Sequence, residues 1–295
     1  MPQFLIVGAA KAGTTTIHDV LGQHPDIFLP SIKELHFFDD EASFAMGCSW
    51  YEKNFSAAAA DQVAGEATPA YMSYSYVPQR IHEMLGEHIK LIFSLREPVA
   101  RAYSEYLHNK RRGFFSADFD EAIQWEFDRA HLSPWERRKF SFISRGYYAR
   151  QIRQFLNYFP RSQMFFLVME EDLGLNSTDT FKSLQEFIGV RQHNLDFTTR
   201  RTVAYEPRSM ALQRVIFNNN PLRRWARTLV ASPRVRQQLR KRLMLMNSSK
   251  SPPAALTPDR HRELQERFYA DEIEQLEGLL GRKLGTWRMD RRSDR

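Results

Sequence analysis

A chain of 295 residues with 42% hydrophobic side chains can bury one large core, and two full domains would be tight. A formal net charge of +7 and a pI near 9.5 favour anionic ligands or surfaces, without choosing among a nucleotide, a sulfated sugar, a nucleic acid and an anionic lipid. The single cysteine, Cys48, excludes an intramolecular disulfide and a thiolate zinc cluster, which suits a reducing compartment. No apolar run approaches the roughly 18 residues of a spanning helix, and the first strand begins near residue 4, so the chain reads as soluble and cytoplasmic.

Taken in chain order, Phe4 to Gly8 is a short apolar strand, followed by a loop holding Lys11, Ala12 and Gly13 and by a helix start at Thr14, Thr15 and Thr16. Backbone N–H groups in such a loop, with the positive end of the next helix, point at an anion, and Lys11 adds a mobile charge. The wording departs from GxxxxGK[ST], because the lysine precedes the second glycine and comes three residues after Gly8. An ordinary ATP or GTP loop is therefore the weaker reading, and a plain strand-to-helix turn is the bland one. Ile17, Val20 and Leu21 continue the helix, which should stop near His24-Pro25, and Ile27 to Leu29 is a second strand.

Val77 to Leu85 reads as a helix feeding a strand from Lys90 to Leu95. Arg96 follows at the carboxyl end of that strand, where open α/β sheets bind ligands, and Pro98 opens a helix that carries Arg101 and Ser104. An arginine fork with a hydroxyl suits a phosphate monoester; a solvated salt-bridge pair and a surface serine are the structural alternative. A helix over Tyr147–Tyr158, a strand over Met164–Val168, a helix within Ser177–Ile188 and a closing helix from Thr257-Pro258 to Gly281 complete the pattern. Strands alternating with helices predict an α/β, P-loop-like open parallel sheet flanked by helices, as a single domain over 1–295.

From Arg200 to Arg242 there are twelve Lys/Arg and a single acid, Glu206. Leu222, Trp225, Leu229, Val235, Leu239, Leu243 and Met246 fall at helical spacing, so a basic helical segment is expected at about 200–250. A solvated face is the default there, a wall for an anionic acceptor the next reading, and peripheral contact with an anionic membrane the third. Arg201 and Tyr205 are conceivable adenosine contacts by position.

The loop after the first strand resembles the 5′-phosphosulfate loop of the sulfotransferases, which use 3′-phosphoadenosine 5′-phosphosulfate (PAPS) as donor. Arg96-Glu-Pro98-Val-Ala-Arg101-Ala-Tyr-Ser104-Glu-Tyr106 is similar to their 3′-phosphate motif, R-x-P-x-x-R-A-x-S-x-Y, at every fixed position. Lys33-Glu-Leu-His36-Phe-Phe-Asp39 resembles the K-E-P-H-F-F-D stretch of heparan-sulfate-type enzymes and their bacterial relatives, with Leu35 for proline. Gly65-Glu66-Ala-Thr68-Pro69-Ala-Tyr71 resembles their E-K-T-P-x-Y segment, with Ala67 for lysine. Glu170-Glu171-Asp172-Leu173 and the Leu256–Trp287 tail match the later pattern.

The resemblance implies a PAPS-dependent sulfotransferase that moves a sulfuryl group in line to a hydroxyl or amine of a carbohydrate or glycoconjugate, without a metal. It assigns donor binding to Lys11, Ala12, Gly13, Thr14, Thr15, Thr16, Arg96 and Ser104. By the same resemblance Lys11 would stabilise the leaving group, Glu66 would be the general base, Lys33 a second cation, and His36 an alternative base or acceptor contact. A lipid or polyketide acceptor stays open. A P-loop kinase would need magnesium ligands and a GK[ST] ending, and a nucleic-acid-binding protein would leave both phosphate motifs as coincidences.

Overall fold

Five apolar residues in succession, Phe4–Gly8 (β1), make a strand that is buried along its whole length, as expected for the middle of a parallel sheet. In the computed structural model β1 pairs on one side with β3 (Val63–Ala67) and on the other with β4 (Lys90–Leu95). With β2 (Ile27–Phe28) and β5 (Met164–Val168) the order is β2-β3-β1-β4-β5, every pair parallel. The α/β parallel architecture expected from the sequence is the one observed. The structure describes residues 1–114, 117–128, 139–174, 177–197 and 254–288, with positions 133, 136, 209, 212, 242–243 and 246–247.

The chain packs as two units. The first comprises 1–101, 145–201 and 262–295, and the second 102–144 and 202–261. In the first, alternate strand residues face opposite sides of the sheet. Phe4 and Ile6 of β1, Ala67, Ile92 and Leu167 pack with Ile17, Val20 and Leu21 of α1 (Thr14–Leu21) in one buried cluster. On the opposite side of β4, Phe93 lies edge-on to Phe155. The chain runs outward from β1 to β2 and β3, then crosses back through α4 (Val77–Leu85) to β4 on the other side of β1. That reversal of direction makes the carboxyl ends of β1 and β4 the switch point of the sheet, the usual ligand position in such folds.

Short helices α2 (Glu41–Phe44) and α3 (Cys48–Lys53) lie between β2 and β3. Helix α5 (Pro98–Arg111) follows β4, and α6 (Phe119–Asp128) belongs to the second unit. There Phe119 packs against Tyr103 and Tyr106, while the Glu126 carboxylate accepts from the N–H groups of Ile143 at 2.7 Å and Ser144 at 3.0 Å. The first unit continues with α7 (Tyr148–Leu156), α8 (Met169–Asp172) and α9 (Ser177–Ile188). Helix α10 (Pro258–Leu280) is stopped by Gly281, whose φ of 68° suits a residue without a Cβ. Among the described residues no helix is long and apolar enough to cross a membrane. The predicted basic helices at about 200–250, with the membrane contact and the roles of Arg201 and Tyr205 attached to them, lie outside the described residues apart from isolated positions.

Gly65 stands opposite Phe4 in the β1–β3 register, and a Cβ on it would come within 2.2 Å of the Phe4 ring. Gly65→Ala should therefore lower the thermal midpoint, overpacking of this kind typically costing about 1–3 kcal/mol. Calorimetry should register about 2–4 °C for each kcal/mol in a protein of this size; an unchanged midpoint would contradict the packing described.

Candidate active site

The loop after β1 is held in a conformation that ordinary residues resist. Lys11 has φ 69° and Gly13 φ 81°, both left-handed, and for a non-glycine residue that costs roughly 1–2 kcal/mol. Three hydrogen bonds from β4 and beyond hold the loop. Ala9 N–H donates to the Ser94 carbonyl at 2.6 Å, the buried Ser94 hydroxyl donates to the Ala12 carbonyl, and Arg96 Nη1 donates to the Lys11 carbonyl at 3.2 Å. Gly8 admits the neighbouring turn, since a Cβ there would meet Met72 Cβ at 2.5 Å. Gly13 caps α1 without a side chain and the first turn has no acid, so the N–H groups at Thr14, Thr15 and Thr16 are left for an anion from outside the helix.

Beside this loop, β3 delivers Glu66 to a closed cluster. Its Oε1 accepts from the hydroxyls of Tyr51 at 2.8 Å and Tyr71 at 2.7 Å, and its Oε2 from Thr68 Oγ1 at 3.0 Å. The residue is only 2% exposed. Burial pushes the Glu66 carboxyl above its ordinary pKa, against the opposing pull of the three hydroxyls. Burial, then the adjacent Glu66 charge, holds both tyrosines well above 10.0, so they stay protonated donors.

The same hydroxyls reach a second segment. Tyr71 OH accepts from the Phe37 N–H at 3.1 Å, Thr68 Oγ1 from the His36 N–H at 3.5 Å, and the Ala67 carbonyl from the Glu34 N–H at 3.1 Å. This strap, residues 33–39, contains two more left-handed residues, Glu34 at φ 62° and His36 at φ 51°. His36 Nδ1 lies 2.9 Å from Oδ2 of the buried Asp39, and its Nε2 faces Glu34 Oε2 at 3.7 Å. Lys33 Nζ donates to Glu34 Oε1 at 2.8 Å. The carboxyl of Glu34 is held down to about 2, chiefly by His36, with Lys33 adding to it against the effect of burial.

Lys11, Ala12 and Gly13 thus form one loop with the Arg96 guanidinium against it, Thr14, Thr15 and Thr16 form the helix turn that follows, and Glu66, Lys33 and His36 gather around the end of β3. Ser104 lies part-buried on α5 in the second unit. Glu34 is the residue that the sequence reading passed over. The signal was present in a carboxylate between Lys33 and His36, but only the fold reveals that it is accessible, its side chain 45% exposed, whereas Glu66 is sealed.

The sulfotransferase domain model matches residues 1–216, and the chain belongs to that family. Heparan sulfate glucosamine 3-O-sulfotransferase 5 of Mus musculus is 29% identical over 211 residues, 68% of this chain and 58% of that protein. Heparan sulfate glucosamine 3-O-sulfotransferase 6 of Homo sapiens is 32% identical over 191 residues, 65% and 53% of the two chains. The chain therefore spans somewhat more than half the length of these curated relatives. A solved sulfotransferase from Alicyclobacillus acidocaldarius superposes with a TM-score of 0.70 at 25% identity, covering 98% of this chain and 99% of its own.

The depressed pKa of Glu34 makes its stabilising contacts dependent on pH. A carboxyl whose folded pKa lies below its unfolded value contributes stability above the unfolded pKa, and that contribution is lost as pH falls through the folded one. The wild type should therefore lose stability relative to Glu34→Gln as pH falls from about 4.5 towards about 2, with a constant difference above that window. Parallel urea titrations across the range would contradict the contact if the two proteins kept a fixed separation.

Proposed function

We propose that this protein is a PAPS-dependent sulfotransferase whose acceptor is a hydroxyl or amine of a carbohydrate or glycoconjugate. The observation that carries the reading is the clamped loop, in which the first turn of α1 follows β1 directly and the Arg96 guanidinium, at the carboxyl end of β4, is bonded to the Lys11 carbonyl. Such an array suits a nucleotide with two phosphate groups and requires no metal ligand of its own. The 5′-phosphosulfate would lie on the loop, with Lys11 beside the bridging oxygen. The sequence motif assigns the 3′-phosphate to Arg96 and Ser104. The carbohydrate acceptor is supported by the activity for which the curated relatives are named, glucosamine 3-O-sulfation of heparan sulfate. A cytoplasmic setting belongs to the same proposal and rests on the lone Cys48.

Two carboxylates compete for the proton released by the acceptor. Glu66 has the raised pKa that favours a base, yet both of its oxygens are enclosed by hydroxyl donors. Glu34 is a weaker base but is accessible and ionised, and it faces a histidine oriented by Asp39. A proton acceptor must reach the acceptor atom directly or through one water, and geometry comes before pKa in that choice. We therefore assign proton acceptance to Glu34 with His36, and to Glu66 the support of the strap that carries them. Lys33 balances the charge of Glu34, and no second cation arises at Ala67, which is buried in the core.

Adenosine 3′,5′-bisphosphate should raise the melting temperature while ATP with magnesium does not; the reverse result would support a kinase instead. Lys11→Ala should keep most bisphosphate affinity but lower turnover by roughly 10²–10³-fold, the effect of losing a charge that acts as negative charge develops on the leaving group.

In single-turnover transfer from PAPS, Glu34→Gln should lose roughly 10²–10⁴-fold, the range for a positioned base. Recovery of that variant with more acidic acceptors is expected. A folded Glu66→Gln protein that shows the acidity-dependent recovery while Glu34→Gln does not would return the role to Glu66.

A further inference from the structure

Arg96 lies between the phosphate loop and a carboxylate. Its Nη1 donates to the Lys11 carbonyl at 3.2 Å, and its Nε is 4.0 Å from Glu170 Oε1, too far for a hydrogen bond. Full engagement would require Glu170 to swing so that both oxygens meet the guanidinium, the two-point geometry in which arginine binds carboxylates most strongly. An arginine neutralised in that way has less charge and fewer N–H groups to offer a phosphate.

Glu170 is prevented from swinging by two other donors. Its Oε1 accepts from the Glu97 N–H at 3.1 Å and its Oε2 from the indole Nε1 of Trp287 at 3.1 Å. The indole nitrogen is a donor only, on a residue 1% exposed. Trp287 is itself fixed. Its carbonyl accepts from Gln265 Nε2 at 2.7 Å, and the same nitrogen donates to Glu97 Oε1 at 2.8 Å. Glu97, Gln265, Trp287 and Glu170 thus form a closed ring of hydrogen bonds around the backbone next to Arg96. Tyr148 OH donates to the Arg96 carbonyl at 2.9 Å and holds that backbone from another side.

We propose that Trp287 is a positioning residue for donor recognition: its indole N–H occupies Glu170 Oε2 and so keeps the Glu170 carboxylate from closing on Arg96, which stays turned towards a nucleotide phosphate. This rests on the donor reading given above and extends it to a residue 191 positions further along the chain. Trp287 touches neither donor nor acceptor in this role. Its effect is confined to the group that Arg96 reads.

The test is calorimetric binding of adenosine 3′,5′-bisphosphate and of adenosine 5′-monophosphate to the full chain. Trp287→Phe keeps the ring and removes the N–H. It should weaken the bisphosphate about 10- to 100-fold, the equivalent of one hydrogen bond to a charged group, and leave the monophosphate unaffected. Adding Glu170→Gln to that variant should restore bisphosphate binding, because an amide cannot form the charged pair with Arg96. Equal losses for both nucleotides, or no recovery in the double variant, would overturn the proposal as a merely structural role.

If Trp287→Phe does not fold, Glu170→Gln in the otherwise native chain decides. Bisphosphate preference equal to or above that of the wild type supports the proposal, and a reduced preference overturns it. A wild-type protein with no preference for the bisphosphate would overturn the donor reading, and this inference with it.

Discussion

The site depends on one constraint, the fastening of the loop after β1 to the end of β4. Parallel pairing sets the two strands side by side, but pairing alone would leave Lys11 and Gly13 to relax out of their left-handed conformations. The bonds from Ser94 to Ala12 and from Arg96 to Lys11 compensate for that strain. Each charge-assisted or buried bond of this kind contributes on the order of 1–3 kcal/mol, comparable to the cost of the conformation it holds. Because the donors come from β4 and the residue after it, the shape of the anion loop is inseparable from the strand that bears Arg96. One hydrogen-bonded edge therefore sets the geometry of both phosphate-directed elements.

Most of the fold around that edge was legible in the chain itself. The strands Lys90–Leu95 and Met164–Val168 and the helices Val77–Leu85 and Ser177–Ile188 lie where apolar runs and helical spacing predict them, and the predicted closing helix starts within a residue of Pro258. The strand Val63–Ala67 was not. Its sequence, Val-Ala-Gly-Glu-Ala, has one β-branched residue, Val63, and no aromatic one, and its glycine argues against a strand. Only the partner strand explains it, because Gly65 makes room for the Phe4 ring. Glu34 was missed for a related reason. Exposure depends on how the strap folds back over β3, and nothing in a run of Lys-Glu-Leu-His tells which carboxylate faces water.

Glu34 and Glu66 also show how one fold assigns opposite properties to two identical side chains. The same short stretch, from Ala67 to Tyr71, supports both. Burial dominates at Glu66 and raises its pKa, while the neighbouring imidazole and ammonium dominate at Glu34 and lower it. The two carboxylates are coupled mechanically through Thr68 and Tyr71, whose hydroxyls donate to one and whose oxygens accept backbone N–H groups from the strap of the other. A buried polar cluster of this type gives a unique arrangement only when every member is satisfied.

The ring that joins Glu97, Gln265, Trp287 and Glu170 has a consequence for how the protein is made. The loop proposed to bind phosphate is drawn from residues 8 to 16, yet the surroundings of Arg96 are completed by residues made much later, Tyr148, Glu170 and Trp287. A ribosome adds roughly 5–20 residues each second, so the early loop emerges well before the partners that finish its neighbour. During that interval the nascent chain carries a sheet edge and an anion loop without their final clamp. The nucleotide recognition proposed above would thus be completed only once Trp287 has been added to the chain.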